Sequence, residues 1–167
     1  MAGPSEFERG RIDSLICPKV RPIVRGTVLF VSAQLPRFAD VYAVSVAPAV
    51  RKNGIATPQP FLVLDSDSPL CAVWERVQTT ELLLFDLTEF VPDVMYVLGM
   101  AHAMGRCPLL MAQEGTPASP FDLHGLRRIE YVADAEGLRG LREELTRAVR
   151  IHLAGVRATP QDDDEVT

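Results

Sequence analysis

The chain has 167 residues, 47% hydrophobic and 23% charged, with one Trp and 13 Pro. Folding at this length hides roughly 70% of the surface that the unfolded chain exposes, which supports one ordinary domain without staples or structural metal and leaves no second independent core. The net charge of −5 comes from 22 acids against 17 bases, and Asp162, Asp163, Asp164 and Glu165 carry much of it, so the nearly neutral body gives the counterion release behind nucleic-acid binding little to act on.

Residues 1–26 mix Pro4, Pro18 and Pro22 with charges and hold no sustained period. They read as an arm with one short helix at Glu6 to Leu15. Thr27 to Ser32 is a β-branched apolar run of strand length, with Gly26 as the breaker before it. Asp40 then caps a helix to about Asn53, where Asn53-Gly54 stops it and Pro48 kinks it or begins a new turn. Phe61 to Leu64 is a second apolar run. The polar stretch Asp65 to Ser68 caps a helix carrying Leu70, Val73, Trp74 and Val77. Glu81 to Leu87 is the third strand. Pro92 opens a helix that is apolar nearly all round and closes at Gly105. Pro108 to Ala112 and Leu126 to Val132 are the fourth and fifth strands. The last helix, Glu136 to Gly155, places Leu138, Leu141, Leu145, Val149 and Leu153 at spacings of three and four. The acidic segment 157–167 reads as a disordered tail.

Strands alternate with helices, and the strands are continuous apolar runs, which predicts an α/β domain over 27–156: about five parallel strands with helices on both faces. Ligands of such sheets sit at the carboxyl ends of the strands, so the loops after Ser32, Leu64, Asp86 and Met111 are the places to search. Cys17, Cys71 and Cys107 are widely separated with no C-x-x-C spacing, which fits a reducing compartment better than a disulfide framework. No apolar run is long enough for a membrane span and the N-terminus has no apolar signal core, so the expected location is the cytoplasm, with no membrane partner.

The loop from Asp86 to Asp93 offers carboxylates and a hydroxyl beside a helix N-terminus. Composition alone favours capping by Glu89 and Asp93 and a turn held by Thr88; the sharper alternative is a pocket for sugar or base. The run from Leu82 to Gln113 (LLLFDLTEFVPDVMYVLGMAHAMGRCPLLMAQ), followed by PFDLHGLRRIEY, resembles the nucleoside 2-deoxyribosyltransferase-like proteins. Their pattern is a strand ending D-L-T, then Y-E-L-G-x-A-H-A-x-G-K-P, then P-F-D-L-R-x-L-R. The resemblance is best from Leu82 to Tyr131 and extends weakly over 27–155. It implies a single Rossmann-like/flavodoxin-like three-layer domain related in fold to TIR domains, no cofactor, and a homo-oligomer.

One departure outweighs the match. In the family the acid of Y-E-L-G attacks or stabilises the anomeric carbon as the base leaves. Here that position is Val97, which can do neither. Asp86, Glu75 and Glu89 are the possible substitute acids; Glu75 also reads as part of a solvated face and Asp86 as a turn cap. Tyr42, Asp86, Thr88, Asp93 and Tyr96 are the ligand-binding candidates by resemblance, although Tyr42 equally fits an ordinary core tyrosine. His102 reads as a hydrogen-bonded structural histidine, and Gly99 as a point of close approach. Arg127 and Arg128, beside His124, suit a phosphate or only the strand edge. His and Cys show no metal-ligand spacing.

The sequence therefore leads to a degenerate family member: a catalytically inactive nucleotide- or nucleoside-binding protein, or an interaction module that docks a protein partner through residues 1–26 or the acidic tail. The alternative is an active N-glycosidic hydrolase or transferase that uses a displaced carboxylate on nucleosides, nucleotides or NAD.

Overall fold

The computed structural model describes residues 21–33, 36–56, 70–117 and 128–158. The expected helix at 6–15, the strand at 61–64, the capping stretch 65–68, Arg127, His124 and most of the tail lie outside them. The described chain is α/β, with a parallel four-stranded sheet in the order β1-β2-β3-β4, consistent with a Rossmann-like fold. The strands are β1 (Val24–Val31), β2 (Thr80–Asp86), β3 (Leu109–Gln113) and β4 (Arg128–Tyr131). β2 is buried along its whole length, as expected of a central parallel strand flanked on both edges.

The helices are α1 (Pro36–Val41), α2 (Ala47–Lys52), α3 (Leu70–Thr79), α4 (Pro92–Ala103) and α5 (Ala135–Ala158). Asp40 does not open the first helix but lies within α1. Between α1 and α2 the chain makes a π-helical segment, Tyr42–Val46. Pro48, in the first turn of α2, explains it: proline has no N–H to donate and its ring crowds the carbonyl four residues back, and a wider turn absorbs both defects. Two side chains fasten this stretch to α5. The Ser45 hydroxyl donates to the Leu138 carbonyl at 2.7 Å, and the Asn53 amide donates to the Thr146 carbonyl at 3.0 Å. Asn53 and Gly54 (φ 74°) close α2 as the sequence predicts.

Strand alternation divides the core. Leu82 and Leu84 join a cluster with Phe38, Val50, Leu141 and Leu145, whereas Leu83 and Phe85 join one with Val73, Val77, Val94 and Val97. Among the described residues no helix is long and apolar enough to cross a membrane. Cys71 is disulfide-bonded while Cys107 is a free thiol, which corrects the expectation of reduced cysteines alone. Wide spacing in sequence places no limit on proximity in the fold.

At the amino end of the sheet, Glu81 is buried (1% exposed) and accepts from Arg157 Nε at 2.7 Å, Arg157 Nη2 at 3.0 Å and the Gly26 N–H at 2.7 Å. Arg157 thus belongs to α5 and not to the tail. Arg106 donates to the carbonyls of Val77 and Gln78, which the end of α3 leaves open, and to those of Thr80 and Glu81 at the start of β2. The Arg157 hydrogen bonds hold the Glu81 carboxyl below its ordinary value of 4.5, against the opposing effect of burial, and the Gly26 N–H adds to them. A carboxylate with a lowered folded pKa stabilises the fold above its unfolded pKa and loses that contribution as the pH falls through the folded value. Urea unfolding midpoints of the native protein should therefore fall below about pH 4.5, and Glu81→Gln should be less stable at neutral pH with a shallower decline in acid.

Two helical glycines should respond in opposite ways to alanine. At Gly137 an added Cβ would lie 2.2 Å from the Val132 carbonyl oxygen, whereas at Gly140 it would meet nothing within 4 Å. Gly140→Ala is expected to stabilise by about 0.5–1 kcal/mol and Gly137→Ala to destabilise, as read by denaturant unfolding.

Candidate functional site

The registers that pair Asp86 with Met111 and Gln113 with Tyr131 bring the carboxyl ends of three adjacent strands together. Asp86, last in β2, is 2% exposed. Its Oδ1 accepts from the Thr88 N–H at 3.0 Å and the Thr88 hydroxyl at 2.6 Å, and its Oδ2 accepts from the Tyr131 hydroxyl at 2.6 Å. Thr88 Oγ1 in turn accepts from the Gln113 N–H at 2.9 Å. One carboxylate and one hydroxyl thus link the ends of β2, β3 and β4.

Burial, followed by the charge of Asp86 and the hydrogen bond to it, holds the Tyr131 phenol well above its ordinary pKa. Tyr131 is therefore a neutral donor at physiological pH. Beside it, Gln113 Nε2 is buried and makes no hydrogen bond of good geometry, but the Gln113 side chain lies close enough to the Tyr131 phenol to oppose the rise in its pKa, as Thr88 also does. The loop onward to α4 contains Phe90 at φ 44°, a left-handed conformation that costs a side-chain-bearing residue about 1–2 kcal/mol. Val91 is the N-cap of α4 and no side chain caps the helix there. Asp93 lies in the first turn of α4, as the loop's composition predicts, and Thr88 holds the turn through Asp86 while also accepting from Gln113.

Val97 lies elsewhere. It is 1% exposed and packs within the cluster of Leu83, Phe85, Leu98 and Ala101. Asp86 follows Leu82 and Leu84 in the strand alternation, and its partner Tyr131 belongs to their cluster. The two positions therefore address opposite faces of the sheet. The other substitute acids are also apart from Val97's core: Glu75, with its side chain 46% exposed, pairs with Arg21 at 3.0 Å, and Glu89 is exposed.

Of the ligand-binding candidates, the structure joins Asp86 and Thr88 directly. Tyr42 is half-buried and stacks on Phe30, with ring centroids 5.7 Å apart; burial raises its pKa and Arg51 opposes the shift. Asp93 and Tyr96 are exposed on α4, and Arg128 pairs with Glu130 on β4. His102 departs from the expected hydrogen-bonded histidine: its Nε2 is buried and has no partner. Among the described residues nothing lies within 4 Å of the position a Gly99 Cβ would take, so none of them makes the close approach expected there. Among the described residues no group of three or more His, Cys, Asp or Glu is placed to hold a metal ion.

Sequence reasoning missed Tyr131 and Gln113. The rule that ligands gather at strand carboxyl ends applies equally to the end of β4, and Tyr131 is the last residue of that strand. Tyr131→Phe removes the donor to Asp86 Oδ2 and should lower unfolding stability by about 1–3 kcal/mol. Thr88→Val, which removes a donor and an acceptor at nearly constant shape, should cost at least as much. Unchanged urea midpoints in both variants would mean that the network does not hold the strand ends.

No family model matches the chain, and no curated protein sequence matches it.

Proposed function

We propose that the protein is a degenerate nucleoside 2-deoxyribosyltransferase-like module that binds a nucleoside or nucleotide at the carboxyl edge of its sheet without cleaving the glycosidic bond. The full architecture in this reading is a three-layer Rossmann-like/flavodoxin-like domain of about five parallel strands with helices on both faces. The observation that carries it is Val97: an aliphatic side chain, 1% exposed, stands where the resemblance requires a carboxylate. Breaking an N-glycosidic bond needs a group that attacks the anomeric carbon or stabilises the oxocarbenium ion, and a methyl-bearing side chain offers neither lone pairs nor charge.

The arrangement of the remaining acids supports the same reading. Asp86 spends both oxygens on Thr88 and Tyr131, and its alternation places it on the other face from Val97. Glu75 is committed to Arg21. Polar chemistry remains at the strand ends: the Gln113 amide beside the Tyr131 phenol and the N-terminal turn of α4, where Val91 supplies no side-chain cap. These are groups suited to hydroxyls, a base edge or a phosphate.

Incubation with nucleosides, deoxynucleosides, nucleoside monophosphates and NAD should release no free base above the protein-free rate, as measured by chromatography. At least one of these compounds should raise the melting temperature. Base release that disappears in Asp86→Asn would establish the alternative, an active N-glycosidase with a displaced carboxylate. Absence of any thermal shift would overturn the binding reading and leave the interaction module, whose partner would dock on residues 1–26 or the acidic tail.

A further inference from the structure

The chain has three cysteines, Cys17, Cys71 and Cys107. Cys107 is a free thiol and Cys71 is disulfide-bonded, so within one chain the count leaves Cys17, which lies outside the described residues, as the partner. We propose that Cys17 and Cys71 form an exchangeable disulfide, a site at which a small thiol or dithiol reductant opens the bond and unfastens the amino-terminal arm from α3, whether or not a ligand is bound at the carboxyl edge.

The end of the arm is already fastened to the side of α3 that carries Cys71. The Arg21 N–H donates to Gln78 Oε1 at 3.2 Å, and the Arg21 guanidinium pairs with Glu75 at 3.0 Å. Cys71, Glu75 and Gln78 follow one another at helical spacings of four and three, which puts them on one stripe of α3, and Cys71 is exposed there. Cys71 lies about 6 Å along the helix axis from Glu75 and about 10 Å from Gln78. The chain from Cys17 to Arg21 spans up to about 14 Å, so the arm reaches Cys71 with both contacts of Arg21 in place. Cys107 sits away from this pair, since its neighbour Arg106 donates to the Val77 and Gln78 carbonyls at the other end of α3.

Two features make the bond exchangeable. Exposure of Cys71 gives an external thiol access, and exposed disulfides are the labile ones. Cys71 is also the second residue of Leu70–Thr79, where the open N–H groups of the first helical turn favour a thiolate, and the sulfur with the lower pKa is the better leaving group. The attacking thiolate therefore bonds to Cys17 Sγ, and the S–S electron pair leaves on Cys71 as a thiolate. A second reductant thiol then attacks the reductant sulfur of the mixed disulfide and releases Cys17. Two reductant thiols are oxidised to one disulfide, the protein disulfide is reduced, and the two protons pass to the cysteines.

Mass spectrometry of a non-reducing tryptic digest, made after free thiols are alkylated, should show the peptide of residues 12–19 linked to that of residues 53–76, with Cys107 alone alkylated. In native buffer dithiothreitol should open the bond without denaturant. Reduced glutathione, quenched early, should be trapped as a mixed disulfide on Cys17. Limited cleavage by trypsin after Lys19 should be faster in the reduced than in the oxidised protein, on the order of 10-fold, with the circular dichroism spectrum unchanged. Cys71→Ser and Cys17→Ser should each cleave at the fast rate in either condition, while Cys107→Ser should keep the dependence on reductant. A link from Cys71 to Cys107 or to a second chain, a bond that opens only in denaturant, glutathione trapped chiefly on Cys71, equal cleavage after Lys19 in both redox states, or loss of the helical spectrum on reduction would each overturn the proposal.

Discussion

A buried carboxylate organises the carboxyl edge of this sheet. Asp86 accepts from Thr88 twice and from Tyr131 once, and Thr88 extends the connection to the backbone of Gln113. A charge at 2% exposure is tolerable only because its oxygens meet directed donors. The arrangement also constrains Tyr131, whose phenol is kept neutral by burial and by the acid beside it. The same hydrogen bonds that make the acid stable make it a poor nucleophile, since each donor stabilises the charge that an attack would have to give up.

The sheet itself separates that acid from the buried face of α4. Successive residues of β2 point to opposite faces, so Leu82, Leu84 and Asp86 share one environment while Leu83 and Phe85 share the other with Val97. The opposite, amino end is held by a different device: Glu81 with Arg157, and Arg106 closing α3. The two charged clusters therefore lie at opposite ends of one seven-residue strand, Thr80–Asp86, which helps to explain why that strand is buried throughout.

The elements were legible where the pattern was local. The apolar runs at Glu81 to Leu87 and Pro108 to Ala112 and the stop at Asn53-Gly54 lie within a residue of their expected positions, and the leucine and valine stripe of α5 is buried as its spacing predicts, although the helix runs three residues past Gly155. The start of the first helix was not legible, because Asp40 has the chemistry of a cap but lies inside a turn that Pro36 opens. The site was legible in part. Asp86 and Thr88 stand together in sequence and in space, but Tyr131 is separated from Asp86 by 45 positions and only strand register joins them. The disulfide at Cys71 and the pairing of Arg157 with Glu81 escaped for the same reason: both depend on long-range proximity, which spacing in the sequence does not encode.

The π-helical segment at Tyr42–Val46 has a bearing on how length changes are tolerated. A π turn holds one residue more than the α turn it replaces, so the fold behaves here as if it had absorbed a single-residue insertion. Excising one residue to restore an uninterrupted α-helix would rotate everything downstream by about 100°. Ser45 and Asn53 could then no longer both reach Leu138 and Thr146. The irregular turn is thus the spacer that keeps two anchors in phase with α5, and homologous chains that lack it would have to fasten these helices by other side chains.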